Sequence, residues 1–400
     1  MKEAISESWK VEKYEILEEQ ETPWWSLDHT TWQGQLKTSM LTLDENLWQS
    51  PGAESAVKLR RMMLRIIQVA RRHSFEMVVN IDTKGTTDSL FFQEKPCLFG
   101  LPEDMFIMSL NRYDRLRLID APEHMEKVME DVAQKHWGVK STQKYCEAHE
   151  LTLSGHPWFV DSGEEAIKTR ILIGNLIMTF KSKGWEVAAT LDVSRKLDDK
   201  TVFVFRQCPP QQQQFAVLGF HWIDQVRLIG GGEGRETLKQ AVQSVLDVPG
   251  LLEEDSPFGD SHEWKLKGQP WSGQAGGDER IAVHFLTRIL SKLQALGWSL
   301  AASADVSAKF YKHREQEFPL DVHSWFLLYS PESIAPSGEE LQTNWVDNVN
   351  QDGTDNVEEI LSERQCCTPI PKACGYCWAF ILILVFSVVF MEVTRTLWGS

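Results

Sequence analysis

The sequence has little positive charge. It contains 41 Lys and Arg against 57 Asp and Glu, a net charge of −16. Binding to phosphate groups needs clustered Lys and Arg, and attachment of a folded surface to anionic lipid needs them as well. We therefore predict that nucleic acid is not a partner and that the folded surface does not hold the protein to a membrane.

Motifs for catalysis and for metal binding are also missing. The eleven histidines are scattered, and the sequence contains no H-E-x-x-H, no G-x-S-x-G and no Walker lysine. We therefore predict no catalytic residues, no metal and no cofactor, and an enzyme is the least favoured class of function.

The N-terminus lacks the apolar segment of a secretory signal peptide, since residues 1–21 are acidic and polar. Cys97, Cys146 and Cys208 are widely spaced, which is typical of reduced cytosolic thiols and not of a disulfide framework. These features predict that the body of the protein faces the cytosol.

One long apolar run is present, near the C-terminus. Residues 375–391 read GYCWAFILILVFSVVFM, without a charged residue. As a helix this run is about 25 Å long, which is short for a bilayer core of about 30 Å. It is apolar on every face, which favours a transmembrane helix at residues 374–393 over a buried core helix. We predict a single-pass, tail-anchored protein with a short tail at 394–400, and the short anchor favours the endoplasmic reticulum or Golgi.

Four cysteines lie beside this run: Cys366, Cys367, Cys374 and Cys377. S-acylation of these thiols is one interpretation, because acyl chains strengthen a short anchor. The other is that they are incidental apolar residues next to a membrane. A zinc site is disfavoured, because no histidine lies nearby and the last cysteine lies inside the apolar run.

The rest of the chain is repetitive. Trp48, Trp158 and Trp271 follow one another at spacings of 110 and 113 residues. The same two spacings separate three aspartates at the ends of predicted strands: Asp82, Asp192 and Asp305. No gap is needed between tryptophan and aspartate in any copy, so the pattern indicates tandem duplication of a small domain.

Each copy predicts the same order of elements. An amphipathic helix ends at a glycine, Gly184 or Gly297, and strands with alternating apolar residues follow. Closing helices are predicted near residues 123–135 and 233–246. The predicted fold class is α+β, with tandem helix–three-strand–helix modules whose helices cover one face of an antiparallel sheet.

The predicted boundaries follow from this pattern. After a lead-in at residues 1–42, the repeats occupy 43–145, 146–250 and 251–330, and the third is predicted to be truncated because it ends after its second strand. Residues 331–373 are polar and acidic, which predicts a disordered linker.

The recurring residues are the candidate ligand-binding sites. Asp82, Asp192 and Asp305 could form a polar binding face, although a strand-end turn in which the carboxylate bonds nearby amides is favoured. Arg117 and Arg227 could bind a carboxylate or phosphate, or pair with Asp114 and Asp224 or other acidic residues. The glycine-rich turn at 230–235 is not predicted to bind phosphate, because the matching turn at 120–123 has no glycine.

These observations predict a membrane-tethered, cytosol-facing binding or scaffold protein whose duplicated modules engage a protein partner. The alternative is a carrier of lipid or another small ligand at a membrane surface, with the ligand held between helix and sheet. The least favoured candidate is an enzyme that uses the strand-end residues Asp82, Asp192 and Asp305.

The tether is testable by itself. A fluorescent protein fused to residues 363–400 should localise to endoplasmic reticulum or Golgi membranes, because the apolar run lies within this segment. Replacing the four clustered cysteines by serine should weaken that localisation if acylation supports the anchor. A diffuse cytosolic signal from the unmodified fusion would exclude the tether.

Overall fold

The computed structural model describes residues 11–20, 36–43, 53–82, 88–95, 104–160, 163–193, 200–248, 251–268, 270–271, 278–307, 310–313, 316–319, 321–331 and 381–385. Trp48, the four clustered cysteines and all but the first residue of the predicted linker lie outside these ranges.

The described residues form five α-helices: α1 (Ala53–Arg72), α2 (Glu123–His136), α3 (Glu164–Ser182), α4 (Arg235–Leu246) and α5 (Asp278–Ala295). The strands are β1 (Val11–Gln20), β2 (Leu36–Leu43), β3 (Phe75–Asp82), β4 (Asp88–Glu94), β5 (Met105–Asn111), β6 (Arg115–Ile119), β7 (Val139–Tyr145), β8 (Ala148–Leu153), β9 (Trp185–Leu191), β10 (Val202–Gln207), β11 (Phe215–His221), β12 (Gln225–Gly230), β13 (Leu252–Phe258), β14 (Ser261–Leu266), β15 (Trp298–Ala304), β16 (Phe310–His313), β17 (Gln316–Pro319), β18 (Asp321–Tyr329) and β19 (Ile381–Val385). The two glycines predicted to end helices do so in the left-handed conformation, with φ of 87° at Gly184 and 82° at Gly297.

Two six-stranded antiparallel sheets dominate the fold. The first has the strand order β7-β8-β6-β5-β10-β9, and the second has the order β13-β14-β12-β11-β18-β15. The strands of the second sheet take the places of those of the first, with β11, β12, β13, β14, β15 and β18 in the positions of β5, β6, β7, β8, β9 and β10. Each sheet is therefore one copy of a single unit. That unit contains six strands and not three, which corrects the predicted module.

The unit also begins half a repeat later than the sequence pattern indicated. The boundary drawn between residues 145 and 146 falls inside the first sheet, between the hydrogen-bonded strands β7 and β8. The third repeat is not truncated, because β15 and β18 complete a sheet begun by β11 to β14. The shorter copy is the first, in which the described elements are the β1–β2 hairpin, α1, β3 and β4. Spacing alone could not show this, because a tandem repeat has the same period wherever its unit is taken to start.

Helices cover both faces of the first sheet, and not one face as predicted. On β5, Phe106, Met108 and Leu110 pack in the core that contains α2 and α3. The intervening residues Met105 and Ile107 pack in the core that contains α1. Since every residue of β5 is buried, the strand needs a helix layer on each side.

Helix α3 lies in one core that the two sheets share. The buried cluster around it includes Phe203 and Phe205 of the first sheet together with Val217 and Phe326 of the second. The second sheet is covered on its other face by α4 and α5, whose apolar residues form a separate core. The described modules therefore stack in the order α1, first sheet, α2 with α3, second sheet, α4 with α5.

The described residues include no helix that is long and apolar enough to span a membrane. Within the predicted anchor, the described residues are Ile381–Val385, whose backbone pairs antiparallel with β4. The other residues of 374–393 lie outside the described ranges, so the anchor stays a prediction.

The approach of α3 to the second sheet depends on a glycine in β11. A Cβ atom on Gly219 would lie 2.7 Å from Nε2 of His221 and 3.0 Å from Nε of Arg170, a residue of α3. Both neighbours are almost fully buried, so the added Cβ would have to be accommodated within a closely packed interior.

Gly219→Ala should therefore lower the free energy of unfolding by about 1–3 kcal/mol, as overpacking of a filled core does. The measurement is urea denaturation of the purified protein. Gly163→Ala is the control, because no atom lies within 4 Å of its added Cβ, and it should cost less than about 1 kcal/mol. Equal losses in the two variants would contradict the close approach.

Candidate functional site

Three edge strands line one cleft on the molecule. Strands β3, β9 and β15 each follow the long helix of a module, and each lies at the edge of its sheet. β9 lies between β3 and β15 and contacts both of them. A cleft of about 580 Å³ runs along the three strands. It is the place where all three copies of the repeat meet.

Each of these strands carries a β-bulge at the same position of the repeat. The extra residue is Val78 in β3, Ala188 in β9 and Ala301 in β15. These positions are again 110 and 113 residues apart. A bulge bends an edge strand, increases its twist and interrupts its ladder, which disfavours addition of another strand to that edge. The three edges are therefore shaped as a curved side-chain surface.

The sequence pattern did not reveal the bulges. It predicted that side chains would alternate between the two faces of β9 without interruption from Trp185 to Leu191. The bulge at Ala188 shifts this alternation by one residue. Trp185 and Leu191 are buried, and the five residues between them are only partly buried. No residue type marks the extra position. The shared spacing was the only signal, and it becomes informative only when the strand partners are known.

Large apolar side chains are exposed in the cleft. Val78, Val79 and Leu300 are 50%, 41% and 42% exposed, respectively. Each of them lines the cleft, together with the small residues Ala188 and Ala301. Exposed apolar side chains from the first and third modules, meeting across the small residues of β9, are typical of an interaction surface.

The recurring aspartates lie at one end of these strands. Asp192 is exposed and lines the cleft. The Asp305 carboxylate accepts a hydrogen bond from the main-chain N–H of Ser307 at 3.1 Å, which is the strand-end turn favoured by the sequence. The side chain of Asp82 lies outside the described residues.

Asp305 also joins the two sheets. Its main-chain N–H donates to Oγ1 of Thr201 at 2.9 Å, and the N–H of Thr201 donates to the carbonyl oxygen of Asp305 at 3.1 Å. Thr201 lies just before β10 in the first sheet, so this reciprocal pair holds the end of β15 against the neighbouring module.

An ionic network joins β3 and β9 at the opposite end. Arg206 of β10 forms ion pairs with Glu76 of β3 and Glu186 of β9, and Lys181 donates to Glu186 at 2.6 Å. Burial raises the pKa of Glu186, but hydrogen bonds from Lys181 and Arg206 outweigh it and lower the pKa overall. The carboxylate is therefore ionised at neutral pH, and the network links the first and second modules electrostatically.

Arg117 and Arg227 lie away from the cleft, buried in the sheets. Arg117 forms an ion pair with Glu150, and its guanidinium lies 4.4 Å from the ring centre of Tyr145. Arg227 repeats the arrangement: it forms an ion pair with Glu263, and its guanidinium lies 4.2 Å from the ring centre of Phe258. Asp114 pairs instead with Arg115. The two recurring arginines are thus 4% and 2% exposed, and they do not meet the recurring aspartates.

His221 lies in the same buried layer as Arg227, between α3 and the second sheet, and is 1% exposed. Burial, assisted by the positive charges of Arg170 and Arg227, lowers the pKa of His221 well below its ordinary value. The imidazole is therefore neutral in the folded protein. In the first sheet the equivalent position, 110 residues earlier, is Asn111.

The other sequence features have structural explanations. The main-chain N–H of Trp158 donates to the carbonyl oxygen of Tyr113, and that of Trp271 donates to the carbonyl oxygen of Ile223, so these tryptophans fasten the chain before each long helix.

In the glycine-rich turn, Gly230 has φ of 74° and its counterpart Asp120 has φ of 58°. The turn needs a left-handed residue in both copies, which accounts for the glycine without a bound phosphate. Among the described residues no three His, Cys, Asp or Glu side chains group at metal-binding distance.

Comparison with known proteins agrees with this division of the chain. One protein-family model, for a domain whose description gives no activity, matches three times, at residues 21–93, 104–206 and 214–328. The chain belongs to this family. The second and third matches begin within a residue of β5 and β11 and each covers one six-stranded sheet, whereas the first match is shorter. No curated protein and no solved structure matches the chain.

The buried His221 generates a prediction about pH. Below about pH 6.5 the unfolded chain binds a proton at this histidine and the folded protein does not, so stability falls as the pH falls. His221→Asn, which introduces the residue of the first sheet, should remove this component. The loss of unfolding free energy between pH 7.5 and pH 5.0 should be smaller in the variant by about 1–2 kcal/mol.

The measurement is urea denaturation at the two pH values. The exposed His156→Asn is the control, and it should leave the difference between the two pH values as in the unmodified protein. A His221→Asn variant that loses as much stability as the unmodified protein would show that His221 is not kept neutral by the fold.

Proposed function

We propose that this protein is a membrane-tethered scaffold that binds a protein partner along the cleft formed by β3, β9 and β15. The observation that carries the proposal is the presence of Val78, Val79 and Leu300, all substantially exposed, in one cleft built from three copies of the family domain. Burial of such side chains against a partner contributes about 25 cal/mol per Å² of apolar surface.

The bulges bear on how the partner is recognised. A regular edge strand accepts almost any extended peptide through main-chain hydrogen bonds. Bulges at Val78, Ala188 and Ala301 interrupt that ladder, so recognition depends on side chains. The small residues Ala188 and Ala301 leave room between the larger ones for the partner's apolar groups.

The polar groups in the cleft give it direction. Asp192 lies at one end, and Thr190, Ser303 and His323 provide hydrogen-bonding groups along it. An apolar surface with polar groups at its margin is the usual composition of a protein-binding site. We propose that the recurring aspartates act here as positioning and rim residues and not as catalytic acids.

The tether remains part of the proposal. An apolar segment at residues 374–393 would hold the modules beside a cytosolic membrane surface, of the endoplasmic reticulum or Golgi, with Cys366, Cys367, Cys374 and Cys377 as candidate acylation sites. Concentrating a binding surface at a membrane raises its effective concentration for partners that are also located there.

The carrier of lipid or another small ligand, proposed as the alternative, has less support. It needs space between helix and sheet, but between α3 and the first sheet the side chains fill the interior: Leu172, Leu176 and Phe180 of α3 are fully buried against Phe203 and Phe205. The cleft that we describe lies on the outside of the sheets.

The cleft is tested by placing a charge in it. Leu300→Lys should reduce recovery of specific partners about tenfold or more, because the lysine must be desolvated on an apolar contact surface. Val283→Lys is the matched control, since Val283 is 64% exposed on α5 and does not line the cleft.

The measurement is quantitative proximity labelling with the full-length protein in cells, followed by binding of the purified candidates to both variants. Partners lost with Leu300→Lys and retained with Val283→Lys support the cleft. An identical set of partners in the two variants would contradict it.

A further inference from the structure

Among its described residues before α1 and up to β4, the first module shows no counterpart of a strand that the other two modules possess. In the complete sheets, β10 pairs with β9 on one side and with β5 on the other, and β18 pairs in the same way with β15 and β11. The corresponding strand of the first module is β4, whose partner on one side is β3. Among the described residues that precede α1, the β1–β2 hairpin corresponds to β7–β8, and no strand corresponds to β5.

Strand β19 occupies this missing position. In the complete modules, Val204 of β10 is opposite Ile107 of β5, and the equivalent Phe326 of β18 is opposite Val217 of β11. The residue equivalent to these two in β4 is Phe91, and it is opposite Ile383. The register agrees as well as the position, since Ile107, Val217 and Ile383 are all β-branched residues at the same point of the unit.

In the complete modules the strand at this position is apolar on both faces. All seven residues of β5 are buried, and so are six of the seven in β11. Such a central strand is a continuous apolar run, and not an alternating one. Outside the three family matches, the long apolar run of this chain is the segment 375–391, and β19 is its ILILV portion.

We infer that the β4 edge of the first module is a strand-acceptor site, and that residues 381–385 of the same chain are its ligand. The segment fills the place of β5 and β11, adds a main-chain ladder to β4 and covers an edge that would otherwise present free N–H and C=O groups. The inference concerns the protein away from lipid and does not rest on the proposed scaffold function.

The two environments of the segment exclude each other. Residues 381–385 cannot pair with β4 as a strand and span a bilayer as part of a helix, because the helix uses the same backbone groups internally. If the tether exists, insertion vacates the β4 edge. The strand-acceptor site then couples the state of the first module to the membrane.

The test uses hydrogen exchange of residues 88–94 in the full-length protein in detergent-free buffer. Leu384→Asp places a charge opposite Leu90, which is 1% exposed in the core that contains α1, and it should make the protected amides of β4 exchange about tenfold faster or more. Val388→Asp is the matched control, because it puts the same charge in the same apolar run outside β19. It should leave β4 protected.

A covalent measurement complements the exchange. With the seven native cysteines replaced by alanine, Leu90→Cys and Leu384→Cys face each other in the ladder and should form a disulfide within one chain. Leu90→Cys with Ile381→Cys is out of register by three residues and should not. Equal exchange in Leu384→Asp and the unmodified protein, or equal cross-linking of both pairs, would overturn the inference. Cross-linking between chains would also overturn it, because the donor would then be a second copy.

Vesicles of phosphatidylcholine separate this inference from the tether. Flotation of the full-length protein with the vesicles tests the tether, whereas exchange in buffer tests the strand. Faster exchange of β4 on vesicle binding is expected. Unchanged protection of β4 in protein that floats with the vesicles would overturn the mutual exclusion.

Discussion

The burial of α3 between two sheets is the interaction on which the rest of the structure depends. Its apolar residues contribute to the core of the first sheet, and its other side packs against Val217 and Phe326 of the second. A helix used in this way cannot belong to one module alone, because removing either sheet would expose apolar surface. The same relation holds between α1 and the first sheet, so each module is stabilised by the helix of the one before it.

This stacking explains the position of the cleft. Each long helix leads directly into an edge strand, so stacking the helices between sheets also brings β3, β9 and β15 together. The strands are held at one end by Arg206 with Glu76 and Glu186, and at the other by the reciprocal hydrogen bonds of Thr201 and Asp305. The bulges curve the strands between these two points. The candidate binding surface is therefore a consequence of the same repetition that builds the core.

The stacking also explains why the ends of the array differ from its middle. In the middle, every β5-type strand is surrounded by two neighbouring strands and two helix layers. At the first module that strand is supplied by the segment that contains Ile381–Val385. An apolar run that suits a bilayer also suits this position, because the equivalent strands β5 and β11 are buried on both faces. The physical property that predicts the anchor is thus the property that allows the strand.

The sequence by itself determined the repetition, the long helices with the strands that follow them, and the helix-ending glycines, since these depend on local spacing and backbone conformation. It also favoured a strand-end turn at Asp305, where the carboxylate accepts a hydrogen bond from the main-chain N–H of Ser307. Only the tertiary structure decided where the unit begins, which faces of the sheets are covered, and that Arg117 pairs with Glu150 and not with Asp114. It alone revealed the bulges at Val78, Ala188 and Ala301. Pairing between strands and packing between modules join residues more than 100 positions apart, and a linear pattern shows their spacing but not their contact.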